Sequence, residues 1–293
     1  MDAATIVRDD SRSGTDTVGG LTLEWAVICD VGQVRETNED AALVMPGKYL
    51  LADGMGGHDS GELASEAALI TLSNVESDRD RTATQVELMD LLSAAQDKIG
   101  EIETESDRRA GTTATGAILV EHDGAPYWLV VNIGDSRTYR LQGGMLEQLT
   151  VDHSQVQEFV DAGFLTPEQA RIDPRRNVIT RALGAGMTEP QADYFSMPAL
   201  PGDVLLVCSD GLTGELPDPE IAEILVGAES AERAASTLVD AALELGAHDN
   251  VTVIVVAVHE QSGVDEQSGV DGGAVEDGGM DGVGMDGVGA DTQ

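Results

Sequence analysis

Four aspartates sit where apolar runs stop or start. Asp53 follows "YLLA", Asp135 follows "YWLVVNIG", Asp210 follows "DVLLVCS", and Asp249 leads into "NVTVIVV". The first three each touch a glycine, and Glu39 and Asp40, in "RETNEDAALVM", precede another apolar run. A single Asp-Gly after a strand is ordinarily a turn. Several acids at compatible strand ends ask for more, because packed carboxylates repel strongly unless a cation lies among them. Oxygen donors suit Mg2+ or Mn2+, which keep several waters and need few protein ligands. Gly54 fits the same chemistry, since a glycine carbonyl can approach an ion with no Cβ in the way. The Cys/His spacing of a zinc site is absent.

Such a cluster needs elements that bring it together. The runs "LEWAVIC", "AALVM", "YLLA", "TTATGAILV", "YWLVVNI", "DVLLVC" and "VTVIVVAV" read as strands, several apolar on both faces. Helical spacing of Leu63, Ala64, Ala67, Ala68, Leu72 and Val75 marks one helix after Gly57, and "VELMDLLSAAQDKI" marks a second. Two more are expected over Asp218–Val226 and Ala231–Leu245, the last stopped by Gly246. The helices are grouped rather than alternating with strands, which favours antiparallel sheets with helices packed outside. In such sheets the end of one strand lies beside the start of the next. Three trailing aspartates and one leading aspartate can then share one edge, within reach of Glu39 and Asp40.

Composition sets the bounds. The chain has 293 residues and is 41% hydrophobic but only 3% aromatic, so its core must rest on Val, Leu, Ile and Ala. The net charge of −38 repels nucleic acid and anionic membranes, and both are set aside as partners. Lysine is nearly absent, with Lys48 and Lys98 against fourteen arginines. A surplus of acids with few lysines suits a protein kept soluble in concentrated salt, so a halophilic source is expected. Met1–Gly20 has no apolar core of a signal peptide, and "VTVIVVAV" is too short to span a bilayer, so a cytoplasmic protein is expected. Cys29 and Cys208 each end an apolar run, the usual place of a small buried thiol.

Three regions are expected. Residues 1–20 are polar and read as a flexible arm; residues 21–260 carry the globular pattern. Residues 261–293 repeat short Gly-Val-Asp units with eight acids and no base, and read as a disordered tail. The spacing of a calcium-binding Gly/Asp repeat is missing there.

At this point the residues match a family. The chain resembles the metal-dependent Ser/Thr protein phosphatases of type 2C in their bacterial and archaeal form. The matching stretches, in family order, are "RETNEDA", "LADGMGGHDSGELAS", "GTTAT", "NIGDSRTYRL", "DHSQVQEFVDAG", "PRRNVITRALG", "CSDGLTGEL" and "HDNVTVIVV". The resemblance implies an α+β fold, a four-layer αββα sandwich of two antiparallel β-sheets flanked by helices. It also implies two Mn2+ or Mg2+ ions per chain. By motif match, Asp53 bridges them, the Gly54 carbonyl binds one, and Asp210 and Asp249 hold the other. Glu39 would bind a coordinated water or an ion itself, with Asp40 in support. Asp135 and Asp210 match ligands of a third ion, which stays open because Gly214 stands where some members carry a further acid.

The implied reaction is direct in-line attack on a phosphoserine or phosphothreonine phosphorus by a hydroxide held between the two ions, with no cysteine nucleophile. Arg35, four residues before Glu39 as in the family, is the candidate grip on the phosphate, its planar fork reaching two oxygens at once. Animal members carry a histidine directly after the Asp-Gly pair. Here Met55 stands there, and His58 is the candidate general acid. His122, His153 and His259 read as structural or exposed, and His248 has no family role to carry over. The segment 151–184 is polar and irregular and corresponds to the flap that borders the family's site. The implied partners are phosphorylated proteins and a cognate Ser/Thr kinase, and a monomer is expected. Two rival readings share the fold, a regulatory pseudophosphatase and a phosphomonoesterase of small molecules. The first would show a missing main ligand, and none is missing.

Overall fold

A strand that is apolar at nearly every position needs cover on both faces. The computed structural model, which describes residues 5–56, 59–77, 79–104 and 109–261, supplies it by stacking two antiparallel sheets and packing helices outside each. Numbering follows chain order. The main path of the first sheet runs β1 (Thr5–Val7), β4 (Asp40–Met45), β5 (Lys48–Met55), β7 (Ala114–His122), β8 (Ala125–Ile133), β12 (Asp193–Pro198). Two short strands extend it: β6 (Gly111–Thr112) pairs with β5, and β11 (Leu183–Gly184) with β6. The second sheet runs β10 (Met145–Gln148), β9 (Arg137–Gln142), β13 (Val204–Cys208), β14 (Val251–Glu260), β3 (Leu21–Asp30), β2 (Asp10–Val18).

Three apolar layers hold the stack. On the first sheet, Leu43, Leu50, Ile118 and Leu129 pack under α1 (Asp59–Leu72) and α2 (Arg81–Gly100) through Leu69, Leu72, Leu88 and Leu92. Between the sheets lie Leu23, Val27, Tyr49, Leu51, Trp128, Ile254 and Val256. On the second sheet, Leu206, Val253 and Val255 pack under α5 (Asp210–Glu215), α6 (Asp218–Gly227) and α7 (Ala231–Leu245) through Leu212, Ile221 and Leu238. Within β14 the layers alternate by residue, Val253 and Val255 toward the helices and Ile254 and Val256 toward the other sheet. The architecture is the α+β, four-layer αββα sandwich.

Two expectations are corrected. Residues 5–7 and 10–18 are strands, not a loose arm: β1 pairs with β4, and β2 lies along β3 over its whole length. Most of β2 is exposed, so its polar composition suits an edge strand, and its backbone bonds are supplied by a neighbour. The segment 151–184 contains α3 (Gln155–Asp161) and α4 (Pro167–Ile172). Ser154 caps α3, while Thr166, Pro167 and Gln169 build a capping box with proline in the first turn of α4. The reading of residues 262–293 as a tail lies outside the described residues. Among the described residues, no helix is long and apolar enough to cross a membrane.

Candidate metal centre

Strand register brings the acids to one end of the sandwich. Asp40 and Asp53 are directly paired across β4 and β5. In the other sheet, Val251 pairs with Asp30 and Cys208 with Val253, which sets Asp249 and Asp210 just beyond the same end of β14 and β13. Ala114 pairs with Ile133, so the Gly134–Asp135 turn leaves β8 there as well.

Buried amides and hydroxyls fix this arrangement. Asn250 donates through Nδ2 to the carbonyls of Val31 (2.9 Å) and Thr37 (3.0 Å), and its Oδ1 accepts the Glu39 N–H at 2.9 Å. One side chain thus ties the 31–39 loop to the start of β14. Thr113 Oγ1 accepts the Asp53 N–H at 3.0 Å, and the Thr113 N–H donates to the Asp53 carbonyl at 2.9 Å. Asp210 stands in the first turn of α5, directly after Ser209. At Gly54 an added Cβ would come within 2.2 Å of the Gly61 carbonyl oxygen and 2.6 Å of that of Glu39. The glycine is therefore required by the close approach of α1 and the Glu39 backbone.

The carboxyls are under electrostatic pressure. Burial pushes Asp53 well above the carboxylate range, and Asp40, Asp210, Asp135 and Asp249 push it further. Asp40 is pushed up to about 7, first by burial; hydrogen bonds from the Ser209 and Thr252 hydroxyls oppose that shift, and Asp210 and Asp249 add to it. Asp210 is pushed up to about 6 by burial and by Asp249. Burial also raises Asp135, with Asp210 and Asp152 adding, and raises Glu39. Glu39 Oε1, Asp40 Oδ2 and Asp135 Oδ1 are buried without a hydrogen-bond partner.

Buried oxygens that lack donors and crowd like charges fit a hard divalent cation. Among the described residues, no three Asp, Glu, His or Cys side chains close into a cage about one point.

Glu39, Asp40, Asp53, Gly54, Asp135, Asp210 and Asp249 lie at this end of the sandwich. Arg35 is exposed there, and its Nη2 lies 2.6 Å from Asp249 Oδ2, so the guanidinium is paired with an acid of the cluster. His58 lies outside the described residues. Cys29 and Cys208 are buried free thiols; burial pushes Cys29 up to about 12 and raises Cys208 too.

Sequence reasoning missed the residues that hold the rim. Besides Asn250 and Thr113, Arg137 grips Asp152 through Nε (2.8 Å to Oδ1) and Nη2 (2.7 Å to Oδ2) and reaches the Tyr139 hydroxyl at 2.9 Å. His153, read as structural or exposed, is buried, and its Nδ1 accepts the Gly134 N–H at 3.1 Å. Arg137 and Asp152 both fall inside the quoted motifs, which was the available signal. Between the 151–184 segment and α5 lies a cavity of about 560 Å3, lined among others by Asp135, Asp210, Arg171, Arg176 and Thr213.

Fold and rim together define an αββα sandwich with an acidic oxygen cluster at one end. The profile of the family Protein phosphatase 2C matches residues 33–245, and the chain belongs to that family. It is 38% identical over 240 residues to the serine/threonine phosphatase stp of Listeria monocytogenes, covering 78% of this chain and 92% of that protein. It is 34% identical over 256 residues to the protein phosphatase PhpP of Streptococcus pneumoniae, covering 82% and 99%. Among solved structures it is similar to the catalytic domain of the serine/threonine protein phosphatase PstP in complex with two manganese ions, with TM-score 0.70, 36% identity, and 82% and 99% of the chains covered.

Proposed function

We propose that this protein hydrolyses phosphoserine and phosphothreonine in protein substrates, using two Mn2+ or Mg2+ ions held at the acidic rim. The observation that carries the proposal is the gathering of Asp53, Asp210 and Asp249 with Glu39 and Asp40 at one end of the sandwich, with buried oxygens that lack donors. The activity named for the relatives, and the two manganese ions of the PstP complex, support it.

In this reading Asp53, the Gly54 carbonyl, Asp210 and Asp249 hold the ions, Glu39 and Asp40 stand beside them, and Asp135 is available to a third. When bound, the ions lower the pKa of water and offset charge on the phosphoryl group. The remaining work falls to the chain. Arg35 is paired at the rim with the proposed ligand Asp249, and its exposure leaves it free to exchange that carboxylate for phosphate oxygens. His58 supplies the proton to the leaving serine or threonine oxygen. The cavity beside Asp135 and Asp210 receives the polypeptide, with the 151–184 segment as its wall. Substrates of this kind are made by Ser/Thr kinases, so such a kinase is the expected counterpart.

The test is phosphate release from a phosphothreonine peptide and from free nucleotides, with and without Mn2+, by the wild-type chain and by Asp210→Ala and Asp249→Ala. Mn2+-dependent turnover of the peptide, faster than of nucleotides and lost in both variants, is expected. Turnover that needs no metal, or that survives both substitutions, overturns the proposal.

A further inference from the structure

The N-terminal residues that read as a loose arm reach the rim. Arg8 is largely buried, with a side chain 14% exposed. Its Nη2 donates to the Glu62 carbonyl at 3.0 Å and to Ser65 Oγ at 3.1 Å, both in the first turns of α1. Its Nη1 lies 2.9 Å from Glu62 Oε1, a charge contact without hydrogen-bond alignment. Ser65 is fully buried, and its hydroxyl lies 2.7 Å from the Glu39 carbonyl and 3.0 Å from that of Glu62. A serine hydroxyl has one proton to give. Arg8 donates to the hydroxyl and to the competing Glu62 carbonyl, which leaves the Ser65 proton to the nearer Glu39.

The Glu39 carbonyl that receives it also accepts the Gly54 N–H at 3.2 Å. The next residue of the chain braces the other flank: Asp9 Oδ1 accepts from Asn38 Nδ2 at 2.8 Å, and Asn38 Oδ1 accepts the Asp40 N–H at 3.1 Å. Two consecutive residues therefore hold both sides of Glu39. Both lie before residue 33, where the family match begins.

We propose that Arg8, acting through Ser65, is a positioning residue that fixes Glu39 beside Gly54 and so sets the affinity of the rim for divalent cations. The proposal rests on the metal reading of the rim. Arg8 touches neither substrate nor ion; it locks the first turns of α1 to the start of β4. Removing such an outer support ordinarily costs about 10- to 100-fold in metal affinity.

The experiment is calorimetric titration of the metal-stripped full chain with Mn2+, with the melting temperature of each variant recorded. Arg8→Met and Ser65→Ala are each expected to weaken Mn2+ binding about tenfold, and the double variant to be no weaker than the weaker single, because both cut one relay. Glu62→Gln, which keeps the helix carbonyl, should bind within about twofold of wild type. Ser65→Ala removes one hydroxyl from a helix and keeps the test sound if Arg8→Met fails to fold. Wild-type binding in Ser65→Ala, or fully additive losses in the double variant, overturns the relay. A wild-type chain that binds no Mn2+ overturns the metal reading itself, and the two failures are told apart in one titration series.

Discussion

Asp40 and Asp53 stand directly opposite each other on the adjacent antiparallel strands β4 and β5. Like charges in that position destabilise a sheet. Burial raises both carboxyls; Asp40 then pushes Asp53 further, while Asp210 and Asp249 help push Asp40 up to about 7. A raised carboxyl stabilises the fold while protonated, and that contribution is lost as pH climbs from the ordinary carboxylate range through the raised value. The metal-free protein is therefore expected to lose melting temperature between about pH 4 and pH 7. With Mn2+ at 100 times the dissociation constant of a site, the gain at pH 7 should be about 2.7 kcal/mol per bound ion, or roughly 5–10 °C for each. Differential scanning fluorimetry across pH, with EDTA or Mn2+, checks both signs.

The same repulsion gives Asp210→Asn opposite effects on stability and on activity. Asp210 is pushed up to about 6 by burial and by Asp249. Removing its charge is expected to raise the melting temperature of the metal-free protein at pH 7 and to lower peptide dephosphorylation at least about 100-fold. A variant that is both less stable and fully active contradicts this assignment.

Gly54→Ala should fail for a packing reason. The new Cβ would lie 2.2 Å from the Gly61 carbonyl oxygen and 2.6 Å from that of Glu39. Both contacts are with backbone, so a shift of α1 or of Glu39 is unavoidable. The expected cost is about 1–3 kcal/mol in urea unfolding, with turnover lost alongside.

Arg137 anchors the segment that walls the cavity. It meets Asp152 through two nitrogens, and the pair is mostly buried. Arg137→Met leaves the Asp152 carboxylate without its cation, at an expected cost of about 3–5 kcal/mol. Limited proteolysis should then cut within 151–184 faster than in wild type. Unchanged stability and cleavage would show that the pair is dispensable.

Arg35 is exposed and forms an ion pair with Asp249. Arg35→Ala is expected to raise KM for a phosphopeptide, with a melting temperature close to that of wild type, because exposed pairs contribute only about 0–1 kcal/mol. Steady-state kinetics on one peptide, with the melting curve as control, is the measurement.

Legible from residue order alone were the strands that are apolar on both faces, the helix Ala231–Leu245 to the residue, and the acids at the ends of those strands. These are local properties: burial on both faces requires continuous apolar runs, and a helix stop requires Gly246. Residue order did not mark β2 or β9, whose residues are largely polar or charged and whose backbone bonds come from β3 and from β10 and β13. Nor did it reveal that Arg35 rests on Asp249, 214 positions away, or that Arg8 reaches Ser65, 57 positions away. Those partners are chosen by sheet register and by the packing of α1 on β4, and only the assembled sandwich sets which distant side chains meet.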